Sequence, residues 1–186
     1  MNSGGPDGEI GASMRYLSQR FTAPNRVCMA VLTDVATEEL GHLEMVSTIV
    51  HQLTANLTVE ENQGFADYYV DHAVGIWPQS AGGIPFNSCE FQSKGDPITD
   101  MFESMAAEQK ARSTYDNILR VVRDIPEIAD PIRFLRAREV VHFQRFGEAL
   151  QSLQDQLNSK NFYQMNPSFD IGLTREPCDC QGECVQ

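Results

Sequence analysis

The sequence has few basic residues and no long apolar run. Fourteen lysines and arginines stand against 26 aspartates and glutamates, which gives a formal net charge of -12 at pH 7. A charge of this sign argues against nucleic acid or an anionic membrane as a partner. No stretch of about 20 apolar residues occurs, so we expect no membrane-spanning helix. Residues 1–8 also lack the basic and apolar regions of a signal peptide, and we therefore expect a cytoplasmic protein.

The five cysteines form no recognisable zinc or disulfide pattern. We expect Cys28 and Cys89 to be buried or half-buried thiols, whereas Cys178, Cys180 and Cys184 crowd a polar C-terminal segment. Their spacing fits no standard zinc site, and a fourth nearby ligand is missing. We predict that residues 159–186 form an extended, partly disordered tail with reducible thiols. Cross-linking and loose metal binding stay open as alternatives.

What the sequence does contain is a pattern of four amphipathic helices. At 186 residues and 41% hydrophobic content the chain is long and apolar enough for one globular domain. Helical spacing of apolar residues predicts helices over about residues 7–21, 25–55, 97–122 and 131–157. Asp7, Asp96-Pro97 and Asp130-Pro131 are start signals, because Asp caps a helix and Pro suits its first position. Residues 1–158 are therefore predicted to form an all-α four-helix bundle.

Residues 57–97, between the second and third helices, show no helical pattern. Such a connection is much longer than the loops that usually join bundle helices. Its aromatic residues indicate that it packs on something, either as a lid over a site or as a subunit contact. It also has the length to cross the bundle, as ferritin-like connectivity requires.

A Glu-x-x-His spacing occurs twice, once in each of two predicted helices. Glu39 and His42 lie in the second helix, and Glu139 and His142 lie in the fourth. Residues three apart share one face of a helix, so each pair can direct a carboxylate and an imidazole at the same point. Because these groups interrupt an apolar face, each buried carboxylate needs a partner.

The other two helices each carry one glutamate in a matching position. Glu9 precedes Glu39 by thirty residues, and Glu108 precedes Glu139 by thirty-one. Two Glu-x-x-His helices and two single-Glu helices are the ligand set of a dinuclear metal site in a four-helix bundle. The near-equal offsets also suggest an ancestral duplication of a helical hairpin. We interpret the remaining candidates as structural histidines or solvated glutamates: His51, His72, Glu38, Glu44, Glu103 and Glu148.

The ligand types favour manganese or iron over copper or structural zinc. Two adjacent ions allow paired one-electron changes, and hence two-electron chemistry on dioxygen or peroxide. Tyr16, two helical turns after Glu9, is placed to hydrogen-bond the ligands. The alternative for Tyr16, a core aromatic residue with its hydroxyl bonded elsewhere, stays equally open.

Several segments resemble those of manganese catalases, most closely a small branch that includes spore-coat proteins. The resemblance covers almost all of residues 4–157, and its most specific segments are 4–9, 15–20, 33–45, 92–97, 105–111 and 138–148. It implies a ferritin-like fold and the disproportionation of hydrogen peroxide to water and dioxygen. It also implies a homo-oligomer, a hexamer in the family, and a location in the cytoplasm or spore coat among other spore-coat proteins.

The resemblance also implies a role for each site residue. The metal ligands would be Glu9, Glu39, His42, Glu108 and His142, with Glu39 and Glu108 as the bridging or central carboxylates. Glu139 would be an acid/base group beside two manganese ions, and Tyr16 would support the ligands. A calcium site found in some members is doubtful here, because Asp34 matches one ligand position but Ala30 does not match its partner. Two other functions stay open, a di-iron oxidase or rubrerythrin-like peroxidase and a structural coat protein with a residual metal site.

Overall fold

The computed structural model describes residues 4–5, 8–62, 69–70, 75–76, 80, 84 and 86–159. Its elements in chain order are α1 Glu9–Gln19, α2 Arg26–Thr54, α3 Val59–Asn62, β1 Tyr69–Val70, β2 Gly75–Ile76, α4 Pro97–Val122 and α5 Pro126–Ser159. The chain also forms 3₁₀ turns at Arg20–Thr22 and Ser88–Phe91. The two short strands pair antiparallel in a small ribbon. The predicted all-α, ferritin-like four-helix bundle is confirmed, and its helices are α1, α2, α4 and α5.

Two of the four bundle helices begin with a side-chain cap, of which Asp96 at α4 was predicted and Asn25 at α2 was not. The Asn25 side chain accepts a hydrogen bond from the backbone N–H of Cys28 at the start of α2. Asp96 accepts one from the N–H of Thr99, with Pro97 in the first helical position of α4. Each cap satisfies an N–H group that has no partner within its own helix. Helix α1 begins at Glu9 with Gly8 as its N-cap residue, whereas the predicted cap, Asp7, lies outside the described residues.

The predicted start of the last helix was wrong by about one turn. Helix α5 begins at Pro126, and Pro131 lies inside it. Either proline could occupy the first turn of a helix. Pro126 comes first in the chain, and its missing N–H costs nothing there, because N–H groups of the first turn have no partner within the helix. The backbone N–H of Ala129 donates to the Ile125 carbonyl at 2.8 Å, so the helix is already formed before Asp130. Pro131, the sixth residue of α5, has no N–H to donate to the Glu127 carbonyl, so the helix lacks one backbone hydrogen bond there.

Helix directions explain why the connection between α2 and α4 is long. Helices α1 and α4 are antiparallel neighbours, since Tyr16 contacts Glu108 and Tyr115 contacts Glu9. Helices α1 and α2 form one hairpin, and α4 and α5 form the other. It follows that α2 and α4 run in the same direction. At 1.5 Å per residue α2 is about 40 Å long, so the chain has to return along the bundle before α4 begins.

One described residue of the crossover, Ser80, lies close to Gly5, just before α1. Gly5 has a φ of +116°, and a Cβ atom added there would lie 2.9 Å from the Cβ of Ser80. Only glycine therefore fits this approach without strain. Most of the remaining crossover lies outside the described residues, together with His72, so its predicted role as a lid or a subunit contact remains a prediction.

The predictions for the cysteines have different outcomes. Cys28 is fully buried, as expected, in the apolar cluster at one end of the bundle. Cys89 is exposed, contrary to the prediction, because it lies in the short 3₁₀ turn that covers the end of α1 and not in a bundle helix. Cys178, Cys180 and Cys184, with the predicted tail, lie outside the described residues. No helix in the described part of the chain combines the length and apolar character needed to cross a membrane.

Two apolar clusters occupy the bundle interior on either side of a polar layer. One cluster contains Leu32, Val35 and Phe146, and the other contains Val46, Ile49 and Leu135. Between these clusters, in the middle of α2 and α5, lie the two Glu-x-x-His pairs. Apolar packing on both sides excludes water from the polar layer, and burial makes every charge in this layer depend on its neighbours.

Candidate metal centre

The two Glu-x-x-His pairs meet in the centre of the bundle. Because α2 and α5 are antiparallel, the middles of the two helices face each other. Glu39, His42, Glu139 and His142 are all at most 2% exposed. Each can present one ligand atom, and these atoms all lie within 4.8 Å of one another. The sequence spacing alone therefore located four side chains that the fold brings together.

Glu39 lies between the two imidazoles. One of its carboxylate oxygens is 2.7 Å from Nδ1 of His42, and the other is 2.7 Å from Nδ1 of His142. The two rings are nearly parallel, with centroids 5.4 Å apart and planes 20° apart. A carboxylate with a different imidazole at each oxygen has the arrangement required of a bridge between two metal ions.

The second glutamate of the pattern occupies a different environment. Glu139 Oε1 lies 3.5 Å from Nδ1 of His42. At the other ring the corresponding position is occupied by Glu108, whose Oε2 lies 3.4 Å from Nδ1 of His142. Glu139 therefore approaches one imidazole, and Glu39 approaches both. The two halves of the sequence pattern are alike in spacing, but they are not equivalent in space.

Two tyrosines form reciprocal hydrogen bonds between α1 and α4 at the edge of the centre. The hydroxyl of Tyr16 donates to Glu108, and the hydroxyl of Tyr115 donates to Glu9. Each tyrosine follows the glutamate of its own helix by seven residues and bonds to the glutamate of the other helix. Tyr16 therefore contacts a proposed ligand, as one of the two interpretations expected. The contact of Tyr115 with Glu9 was not predicted, although the repeated spacing of seven residues was a signal that could have revealed it.

The electrostatics of the centre separate Glu39 from the other carboxyl groups. Burial alone would raise the pKa of Glu39, but the adjacent His142 and His42 imidazoles outweigh it and hold this pKa at about 2. Burial alone would lower the pKa of His142, but the Glu108 and Glu39 carboxylates raise it to about 10. Without metal, Glu39 is thus an anion beside an imidazolium cation.

The three other buried carboxyl groups have raised pKa values. Burial, followed by the negative charge of Glu39, raises the pKa of Glu9 well above 4.5 and also raises that of Glu108. Burial and then the charge of Glu108 raise the pKa of Glu139. Carboxylates crowded in a dry interior cannot all ionise unless cations enter. Two divalent ions would supply the required positive charge.

Several polar atoms of the centre are available to bind a metal, because they have no hydrogen-bond partner of normal geometry among the described residues. Both Glu39 oxygens, both nitrogens of His42 and of His142, and one oxygen each of Glu108 and Glu139 are buried without a hydrogen bond of normal geometry in the described part of the chain. Unpaired buried polar atoms are rare in folded proteins and call for a specific explanation. Carboxylate and imidazole ligands in this number suit manganese or iron.

A cavity of about 10 Å³ opens beside the carboxyl groups of Glu9, Glu108 and Glu139. This volume accommodates about one water molecule, and hence a molecule not much larger. Three alanines form the apolar part of its wall, and the complete lining is Glu9, Ala12, Arg15, Tyr16, Ala107, Glu108, Ala111 and Glu139. The small side chains of α1 and α4 thus leave space for a very small substrate.

One residue predicted to be merely solvated contacts the centre. Glu38 is 29% exposed, and its carboxylate lies 3.2 Å from Nε2 of His142 while pairing with Arg138. The prediction was wrong because α5 covers this face of α2. Glu44 and Glu148 are exposed as expected, and Glu103 is half-buried beside Lys110. His51 is exposed near the end of α2, away from the centre.

The chain was compared with protein-family models, curated proteins and solved structures. The model for manganese-containing catalase matches residues 2–165, which is most of the sequence. The chain belongs to the manganese catalase family. This finding confirms the resemblance that the motif segments indicated.

The similar proteins include Protein CotJC and several manganese catalases. Protein CotJC of Bacillus subtilis is 44% identical over 162 residues, covering 86% of this chain and 85% of CotJC. A probable manganese catalase of Clostridium acetobutylicum is 30% identical over 161 residues, covering 86% of this chain and 71% of that protein. The crystal structure of KatB, a manganese catalase from Anabaena, aligns with a TM-score of 0.73 at 30% identity, covering 81% of this chain and 68% of KatB.

Proposed function

We propose that the protein is a dimanganese catalase that converts two molecules of hydrogen peroxide to two of water and one of dioxygen. The observation that carries this proposal is the buried cluster of carboxylate and imidazole atoms without hydrogen bonds of normal geometry among the described residues, next to a cavity that accommodates about one small molecule. Membership of the manganese catalase family supports the same reaction.

In this proposal five side chains hold the two ions. Their identities follow the family resemblance: Glu9, Glu39, His42, Glu108 and His142. The proposal is supported by the ligand atoms of Glu39, His42 and His142, which lie within 4.8 Å of one another. Glu39 is assigned as a bridging carboxylate, since each of its oxygens faces a different imidazole. The Tyr16 and Tyr115 hydroxyls orient Glu108 and Glu9, and such support restricts the positions that a ligating carboxylate can adopt.

When bound, the manganese pair accepts and returns the two electrons that the reaction requires. The chain itself handles the protons. Glu139 retains its proton because burial raises its pKa, and it lines the cavity where peroxide would sit. Breaking the O–O bond requires a proton on the departing oxygen, and Glu139 can give that proton and recover one from the second peroxide.

The metal and the reaction can be tested together on protein from its native source. Elemental analysis should find manganese in excess of iron, and peroxide should release dioxygen at cyanide levels that inhibit haem enzymes. Glu39→Ala should lose metal and activity together, whereas Glu44→Ala, an exposed change on the same helix, should lose neither. Iron in excess with a requirement for an electron donor would favour a di-iron peroxidase instead, and a manganese protein without dioxygen release would refute the proposal.

A structural role in the spore coat is a second candidate function. It is favoured by the resemblance of the sequence to the small branch of the family that includes spore-coat proteins, and this branch can be compared with Protein CotJC, which is 44% identical to the chain. This role is compatible with catalysis, and the two are separable by experiment. A catalytically inactive but folded variant that still assembles into coats would show that assembly does not require the metal centre.

We further propose that the protein is a homo-oligomer, with a hexamer as the family suggests, located in the cytoplasm or the spore coat. The supporting observation is a set of exposed apolar side chains outside the bundle core, including Phe21, Val27 and Phe102. Calcium at a subunit contact remains doubtful, because the exposed Asp34 carboxylate already pairs with Arg145. Light scattering during gel filtration, with and without calcium, would measure both properties.

A further inference from the structure

Glu38 joins the two histidines of the centre from the side opposite Glu39. Its Oε2 lies 3.2 Å from Nε2 of His142, and its Oε1 lies 3.8 Å from Nε2 of His42. Both rings therefore present Nδ1 to the carboxylates inside the bundle and Nε2 to this single carboxylate. Neither pair has the geometry of a normal hydrogen bond, but both distances are short enough for attraction between an Nε2–H and the carboxylate.

Arg138 fixes the orientation of the Glu38 carboxylate. Its Nη2 donates to Oε2 at 3.0 Å, and its Nε donates to Oε1. Such a two-point contact between a planar guanidinium and a carboxylate restricts rotation of the carboxylate. Since Glu38 is on α2 and Arg138 is on α5, the contact also relates the two helices that carry the histidines.

An imidazole that binds metal through Nδ1 must carry its proton on Nε2. A carboxylate acceptor at Nε2 stabilises that tautomer, fixes the ring orientation and makes the ligating nitrogen more basic. Within the described residues, Glu38 is the acidic side chain that faces Nε2 of both rings. One residue thus performs for both histidines a task that usually needs one acceptor for each.

We propose that Glu38 is a positioning residue that orients His42 and His142 together as Nδ1 ligands, and that Arg138 holds Glu38 in place for this role. The inference rests on the metal site of the proposed function, but it does not depend on the reaction catalysed there. The alternative is that Glu38 and Arg138 merely form an ion pair between two helices. The two explanations predict different relative losses of metal affinity when Glu38 and when Arg138 is replaced.

Four substitutions separate these explanations: Glu38→Ala, Glu38→Gln, Arg138→Gln and the exposed control Glu148→Gln on α5. The probe is Mn²⁺, and its free concentration is followed by electron paramagnetic resonance during titration of metal-free protein. Loss of the acceptor in Glu38→Ala should weaken Mn²⁺ binding about 10- to 100-fold, the usual effect of removing an outer partner of a ligating histidine. Glu38→Gln retains one acceptor oxygen and should bind more tightly than Glu38→Ala.

Arg138→Gln leaves the acceptor in place, so its affinity should lie nearer to the unsubstituted protein than to Glu38→Ala. The spectrum of bound Mn²⁺ should change in Glu38→Ala and stay unchanged in Glu148→Gln. Equal losses of affinity in Glu38→Ala and Arg138→Gln, with equal falls in melting temperature, would assign a simple ion pair and overturn the proposal. Unchanged affinity and spectrum in Glu38→Ala would overturn it as well.

Folding and function need separate controls. Circular dichroism of each metal-free variant checks the helices, and Glu38→Gln serves as the test if Glu38→Ala does not fold. An unsubstituted protein that binds Mn²⁺ without releasing dioxygen would refute the catalase but leave the role of Glu38 testable. Failure of the unsubstituted protein to bind Mn²⁺ would refute both.

Discussion

The metal-free protein should become less stable as the pH rises from 5 to 8. Folded Glu9, Glu108 and Glu139 have pKa values above 4.5, so they keep protons that the unfolded chain has already released. Their contribution is fully present below pH 4.5 and is lost as the pH rises. His142 acts in the same direction, since its stabilisation is present below pH 6.5 and is lost between pH 6.5 and about 10.

Glu39 does not oppose this trend in the measured range. Its pKa is lowered from 4.5 to about 2, so its contribution is present above pH 4.5 and is lost only as the pH falls from 4.5 to about 2. Each extra proton held by the folded chain lowers the free energy of unfolding by about 1.4 kcal/mol per pH unit. For a chain of this size, one such proton corresponds to about 3–6 °C in melting temperature per pH unit, and each further proton adds to the slope.

Thermal melts of chelator-treated protein at pH 5, 6, 7 and 8 measure this slope. Glu139→Gln removes one titrating group and should make the slope shallower. Added Mn²⁺ must displace the protons, so the rise in melting temperature that it produces should grow with pH. A melting temperature of the metal-free protein that stays level or rises from pH 5 to 8 would refute the reasoning.

Three further predictions concern single side chains. Glu139→Gln should keep its manganese but lower kcat about 10²- to 10⁴-fold, measured as dioxygen release, because it removes the proton donor; unchanged kcat would contradict that role. Tyr115→Phe should lower the free energy of unfolding of the metal-free protein by about 1–3 kcal/mol in urea titrations, since it leaves Glu9 without its donor; a loss confined to turnover would instead indicate a catalytic role. Asp96→Ala removes the cap of α4 and should cost about 1 kcal/mol, or about 2–4 °C in a thermal melt, with Mn²⁺ affinity as the unaffected control.

Local features of the sequence were enough to predict most of the bundle. Helix periodicity and the cap at Asp96 act between residues a few positions apart, so they are visible in one chain without its fold. The last helix shows the limit of such signals. Pro126 and Pro131 both fit a helix start, and packing of α5 against α4 favoured the earlier one.

The contacts between helices were much harder to predict from the sequence. Tyr115 looked like an ordinary core residue, because its bond to Glu9 joins positions 106 residues apart. Glu38 looked like a solvated residue, because a single helix does not reveal which neighbour covers its face. Arg138 from α5 covers it. Side-chain type and spacing carry no information on such partners until the helix directions are known.

The sequence by itself determined the composition of the metal centre, since the paired spacing of Glu39 with His42 and of Glu139 with His142 commits four ligand-type side chains to two helix faces. Only the tertiary structure decided how the environments of these two equally spaced Glu-x-x-His pairs differ. The antiparallel approach of α2 and α5 placed Glu39 between both imidazoles and Glu139 beside only one. Electrostatic energy depends on distances in space, so two glutamates with the same spacing in the sequence have pKa values shifted in opposite directions, lowered for Glu39 and raised for Glu139.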